Sequence, residues 1–263
     1  KLDGLDLAPD ATKAYFELAV AHAFPKFTAF RMGMHPAVIA NSFESMRHQM
    51  FNLGHLVRFY DAENIARDRI IGCVVGVEFP KAPMGGWKLP GKNDEPPCIR
   101  AAASVYKLAE GVDRILGSYQ ANRKAWTVSM EIFYYPEEGG FAVKGEPVAG
   151  VRSTYTDDWK AHGWHYVNWP DAPKELRACY DRKKTEVNKK WSGREVILLQ
   201  GGLDGSVHFQ GVGAVQRGAE PSAKIATMLA ADPALKQRVE ASRKIIADFQ
   251  NKLLTPLAEA ACR

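Results

Sequence analysis

The sequence predicts an α+β fold: a mostly antiparallel, β-barrel-like domain with flanking helices and a helical C-terminal tail. Apolar, β-branched runs of strand length, among them RIIGCVVGVEF, WTVSMEIFYY and SVHFQGVGAVQ, recur through the chain with few helical segments between them. No Gly-rich phosphate loop follows any of these runs, which argues against a doubly wound sheet. Beyond Pro221 the apolar residues return at helical spacing, Leu235, Val239, Ile245, Ile246, Phe249 and Leu253. The expected organisation is a domain over residues 1–222, carrying an insertion at 151–192, followed by a helical tail over 223–263.

Each element has its own signal. Ala14, Leu18 and Ala21 at helical spacing after Pro9-Asp10 predict an opening helix over 11–23, ended by Pro25. Alternation over 26–33 predicts a short strand, and Pro36 suits the first turn of a helix running toward Met46. Residues 50–59 and 69–79 read as a strand pair, the second apolar enough to be buried on both faces. The stretch KAPMGGWKLPGKNDEPP has no period and predicts a surface loop. Val105, Leu108, Val112, Ile115 and Leu116 form one stripe, predicting a helix over 101–119. Residues 127–135 read as a strand, and Pro136 to Gly140 turn the chain toward the partner GFAVKG. The Trp- and Tyr-rich insertion predicts one short helix over 173–184. A last strand pair, 195–200 and 206–216, is joined by Gly-Gly-Leu-Asp-Gly.

Composition narrows the function classes. With 263 residues, 46% of them hydrophobic, the chain can bury a sizeable core. A net charge of +5, from 35 basic against 30 acidic residues, is too mild and too dispersed to imply specific nucleic-acid binding. No run approaches the ~18 apolar residues needed to cross a bilayer, so a soluble protein is expected. Cys73, Cys98, Cys179 and Cys262 lack any C-x-x-C spacing, which predicts buried thiols and no metal site, disulfide framework or cofactor.

Acyl transfer needs a nucleophile, a base, a group that orients the base, and donors for the developing oxyanion. Ser129 lies in a strand whose Val128, Met130 and Ile132 would face the core, putting Ser129, Glu131 and Phe133 on the opposite face. His55 closes Phe51-Asn52-Leu53-Gly54-His55. His208 alternates with Ser206 and Gln210 in the last strand, where it could orient a base, and the nearby Arg217 could support an oxyanion. Glu131 could also serve as a third catalytic group or form an ordinary ion pair.

Taken in order, FNLGHLV, RIIGCVVGVEF, CIRAAASVYKLAEGVDRIL, WTVSMEIFYY and SVHFQGVGAVQRGAEPSA resemble the signature of prohead maturation proteases of tailed bacteriophages, related in fold to herpesvirus assemblins. The resemblance spans about residues 27–222 and rests on order more than on any one motif. It implies His55 as general base, Ser129 as nucleophile, His208 as third triad member and Arg217 as oxyanion support; phage relatives with an acidic third member leave Asp61, Glu63 and Glu131 open. It further implies a serine endopeptidase that processes scaffold and capsid proteins, self-associates, and works in the host cytoplasm within the prohead or virion. The alternative it leaves is a structural particle component that keeps the fold without activity, with the aromatics Trp159, Trp164, Tyr166, Trp169 and Tyr180 as an interface. Those same aromatics raise a third idea, a carbohydrate-binding module.

Overall fold

Lys13–His22, the first strand (β1), alternates half-buried and buried positions, sending Phe16, Leu18 and Val20 into the main core. The computed structural model describes residues 13–54, 70–109, 111–121, 126–215, 218–219 and 222–229. It is a mixed α+β structure with few helices, built on a closed barrel of seven strands.

After β1 the chain forms β2 (Met32–Gly33), α1 (Pro36–Ser42) with a 3₁₀ turn at Phe43–Met46, β3 (Met50–Leu53), β4 (Ile70–Glu78) and β5 (Cys98–Tyr106). Next come α2 (Val112–Ala121), β6 (Thr127–Phe133), β7 (Gly140–Lys144), α3 (Asp157–His162), β8 (Trp164–Asn168) and α4 (Lys174–Arg177). The short β9 (Tyr180–Asp181) and β10 (Glu186–Val187) precede β11 (Val196–Leu199), β12 (His208–Val215) and β13 (Lys224–Leu229). Around the barrel the order is β1, β13, β6, β12, β3, β4, β5, with β5 pairing back to β1. All neighbours are antiparallel except β12 and β3, which run parallel. A second, four-stranded sheet runs β2, β11, β7, β8 beside the barrel.

Three expectations change. The opening helix over 11–23 is strand β1 where the structure describes it, because Ala14 and Leu18 satisfy a period of two as well as a helical one, and Phe16 and Val20 between them are equally buried. The first half of the helix over 101–119 is strand β5, and α2 begins only at Val112. Residues 101–103 pair with both β1 and β4, so the sheet overrides their helix propensity, and a Cβ on Gly72 of β4 would lie 1.9 Å from the Ser104 carbonyl oxygen, which requires glycine there. The start of the helical tail is strand β13, which closes the barrel, so the barrel runs past residue 222; the tail from 230 on lies outside the described residues. In addition, the strand over 26–33 shrinks to β2.

The insertion carries its own cores. Trp169, Tyr180 and Trp191 pack with Phe141 and Leu198 in one, while Trp159, Trp164 and Tyr166 pack with Phe24 and Leu199 in another. Trp159 is 2% exposed and Trp164 5%, so these aromatics hold the second sheet together and do not form an outward interface or a sugar platform. The short helix expected over 173–184 is α4.

Candidate active site

Alternation along β6 sends Val128, Met130 and Ile132 into the main core and leaves Ser129, Glu131 and Phe133 on the outer face of the barrel. Strand register then fixes what surrounds the serine. Ser129 pairs with Gly213 of β12, and Gly213 pairs on its other side with Asn52 of β3. One step along, Glu131 pairs with Gly211, which pairs with Met50. Two glycines therefore line the middle of this face, both buried, with the side chains of Ser129 and Glu131 on one side of them and that of Asn52 on the other. A Cβ on Gly211 would stand 3.1 Å from Glu131 Oε2 and 3.5 Å from Asn52 Nδ2, so both side chains lean over the same glycine.

Ser129 is 6% exposed, yet it lines a cavity of about 430 Å³ with Thr28, Met32, Tyr134 and Gln200. The cavity follows the edge of β6 that faces β13, where the two strands share one paired position, Lys224 with Thr127. Its far wall belongs to the second sheet and the insertion. Tyr134 ties the two halves: its hydroxyl hydrogen-bonds the Tyr180 hydroxyl at 2.8 Å, and burial pushes its pKa far above the usual phenol value, so the group stays neutral.

The other expected residues divide. Glu131 shares the face of Ser129, two residues along the same strand, about 6.6 Å away by strand rise. His208 is exposed and pairs with Phe133, four residues from Ser129, or about 13 Å along β6. It stands at the opening end of β12, whereas β3 leaves the barrel at Gly54, bonded to Ala214 near the other end. The structure does not bring His208 to Ser129, because four residues of β6 separate the serine from the strand position that His208 pairs with. His55, Asp61, Glu63 and Arg217 lie outside the described residues. Gly218, next in chain after Arg217, presses on the start of β6, where a Cβ would lie 2.8 Å from Val128 O.

Two features escaped sequence reasoning. Asn52 is 0% exposed, and neither its Nδ2 nor its Oδ1 has a hydrogen-bond partner among the described residues. Its place in Asn-x-x-His was visible, but its position facing Ser129 depends on the non-local insertion of β12 between β3 and β6. The second feature is a Ser–His contact elsewhere: Ser222 Oγ and His22 Nδ1 share a hydrogen bond of 3.1 Å, and His22 Nε2 lies 4.0 Å from Glu95 Oε1. Glu95 there is 80% exposed, and Ser222 lines neither the 430 Å³ cavity nor the polar one beside Glu138 and Asp204.

Among the described residues, no three His, Cys, Asp or Glu side chains gather closely enough to hold a metal ion. No helix among them is long and apolar enough to cross a membrane. No family model, curated protein or solved structure matches this chain.

Proposed function

We propose that the chain is a serine endopeptidase acting by acyl transfer at Ser129, of the kind that processes scaffold and capsid proteins during phage head maturation. One observation carries the reading: a serine on the outer face of a closed barrel that lines a cavity together with a carboxylate two residues along the same strand. Those are the parts a covalent hydrolase needs around its nucleophile. Under this reading His55, assigned by the resemblance, takes the proton from Ser129 Oγ as the oxygen bonds to the peptide carbonyl carbon. The carbonyl π pair moves onto oxygen. Collapse then breaks the C–N bond, the base returns the proton to the leaving amine, and water releases the acyl group. Glu131 takes the place of the acidic third member, since it lies two residues from the serine on the same face, whereas His208 lies about 13 Å along the ladder. Arg217 remains the proposed oxyanion support, as the resemblance implies. The host cytoplasm, within the prohead or virion, is the proposed place of action.

The small exposure of Ser129 favours one other reading, a structural particle component that keeps the barrel without turnover. A fluorophosphonate probe followed by peptide mapping separates the two. The enzyme reading expects a single adduct at Ser129, and Ser129→Ala should lower peptide cleavage by at least about 10³-fold with an unchanged melting temperature. An adduct at Ser222 would move the nucleophile to the His22 contact. No adduct on folded protein would leave the structural reading.

A further inference from the structure

The cavity that Ser129 lines has a mouth and an inner end of different character. Phe30, 46% exposed, and Lys184, whose ammonium pairs with Glu186 at 3.7 Å, stand at the mouth; Val20, Val128, Thr28 and Gln200 are buried and close the inner end. Met32 and Ile132 supply apolar wall between them. At about 430 Å³ the space falls in the range of small-ligand pockets, ~300–1,000 Å³. Its inner polar groups are uncharged and fixed in place. The turn at 28–32 is closed by the Thr28 N–H on Met32 O at 2.8 Å and the Met32 N–H on Thr28 Oγ1 at 3.3 Å, so the threonine oxygen accepts and its proton is left to donate. Gln200 is 4% exposed, and its Nε2 donates toward Met32 Sδ at 4.0 Å. Its hydrogen bond to Tyr134 works against the effect of burial by favouring the phenolate, which only a donated bond does. The amide nitrogen therefore faces Met32 and Tyr134, and Oε1, with no donor among the described residues, is left to accept.

We infer that this cavity recognises a glutamine side chain of the peptide substrate, with Gln200 and Thr28 as its specificity-determining residues. This rests on the acyl-transfer reading above and deepens it by naming the substrate class. An oxygen that accepts and a hydroxyl that donates, both in contact with Met32, match the N–H and C=O of one carboxamide. A carboxylate would set its oxygen against Gln200 Oε1, and Glu131 in the same lining repels it further. An ammonium would lose its hydration at an uncharged inner end, and a purely apolar side chain would leave Gln200 and Thr28 unpaired away from water. Glutamine's two methylenes suit the apolar wall at Met32 and Ile132. Ser129 itself lines the cavity, so the residue whose carbonyl carbon bonds to Oγ starts at the cavity wall with its side chain directed inward.

The test uses the full chain and four peptides, acetyl-Ala-Ala-X-aminomethylcoumarin with X as glutamine, glutamate, lysine or norleucine. The expected kcat/KM for the glutamine peptide is at least about 10-fold above each of the others. Gln200→Leu and Thr28→Val each remove one polar partner at nearly constant size, and each should lower the ratio of glutamine to norleucine cleavage by about 10–10²-fold. That ratio compares two substrates on one protein, so a smaller folded fraction cancels out of it. A ratio unchanged in both variants overturns the proposal, as does a wild-type preference for glutamate or norleucine. A preference for lysine does so too, by making Glu131 the recognising group. Fluorophosphonate labelling separates this proposal from the reading beneath it. Wild-type protein that labels at Ser129 without favouring the glutamine peptide, or without cleaving any of the four, overturns the pocket assignment alone. Wild-type protein that does not label at Ser129 overturns the acyl-transfer reading there and the pocket assignment with it.

Discussion

Gly211 and Gly72 offer a controlled contrast, because the same Gly→Ala change should do opposite things at the two positions. At Gly211 the new methyl would meet the ends of two side chains, Glu131 Oε2 at 3.1 Å and Asn52 Nδ2 at 3.5 Å. Those tips can shift by a few tenths of an ångström, and alanine restricts the unfolded chain by about 0.4–1 kcal/mol, so stability should stay within about 1 kcal/mol of wild type. Chemistry should not escape so lightly. The methyl presses on the carboxylate beside Ser129, and misplacement of a catalytic group by about 1 Å costs up to about 10²-fold. At Gly72 the methyl would land 1.9 Å from Ser104 O, 2.9 Å from Ser104 C and 3.0 Å from Val105 Cα, all backbone atoms of the paired strand. No rotamer relieves that contact, so β4 and β5 must separate by more than 1 Å with loss of flanking ladder bonds, costing about 3 kcal/mol or more. Urea unfolding measures the first quantity and fluorophosphonate labelling of folded protein the second. If Gly211→Ala unfolds far more easily than wild type, or labels at the wild-type rate, the carboxylate over Gly211 does not act on Ser129.

The register makes a second discrimination. Glu131→Gln should slow labelling at Ser129 by about 10²-fold or more while His208→Ala, about 13 Å along the ladder, leaves it within about threefold; equal effects in a labelling time course would restore His208 to the site. Acid stability gives a third prediction. Burial holds both His35 and His165 below the usual 6.5, so between their folded values and 6.5 the unfolded chain binds protons that the folded chain refuses, and stability falls as pH drops through that window. Each group contributes a slope of at most about 1.4 kcal/mol per pH unit. His35 Nδ1 accepts from the Ala37 N–H at 3.3 Å at the start of α1, so a proton there also removes the cap. Urea midpoints should be level above about pH 7 and decline below about 6.5, with His35→Gln shallower; a flat profile down to pH 5 would mean that neither ring is held neutral.

Local patterning made parts of this molecule legible. Strands β4, β6, β7, β11 and β12 follow from β-branched runs and α1 from Pro36, but the pairings expected across the turns at 136–140 and 201–205 do not form, because β6 and β12 pair in the barrel while β7 and β11 pair in the second sheet. Ser129 and Glu131 could be placed on the outer face because alternation within one strand needs no knowledge of its neighbours. Errors arose where two periods coincide or where packing overrides propensity. Ala14, Leu18 and Ala21 fit a helix as well as a strand, and only the burial of Phe16 and Val20 separates the two. Ala101, Ala102 and Ala103 are good helix formers, yet they are paired on both sides, to β1 and β4, and the sheet overrides their local propensity. The insertion shows no period because its aromatics are divided between two small cores. Asn52 and the contact of Ser222 with His22 depend on which strands and loops become neighbours, and local sequence does not encode that.

The insertion's packing bears directly on the site. Lys184 and Thr185, between β9 and β10, border the same cavity as Ser129, and Gln200 reaches it from the end of β11. These positions are set by the second sheet, whose Trp169 stacks on Phe141 at 5.3 Å and meets Tyr180 edge-on at 6.4 Å. Tyr180 in turn holds Tyr134, the residue that follows β6 by one position. A buried chain of contacts thus runs from the insertion's aromatic core to the strand carrying the serine, and each link is a large side chain with few alternative rotamers. A barrel strand with one paired position toward β13 would otherwise have its edge open along the cavity. Packing a second core against that edge fixes the width of the cavity that Ser129 and Glu131 line.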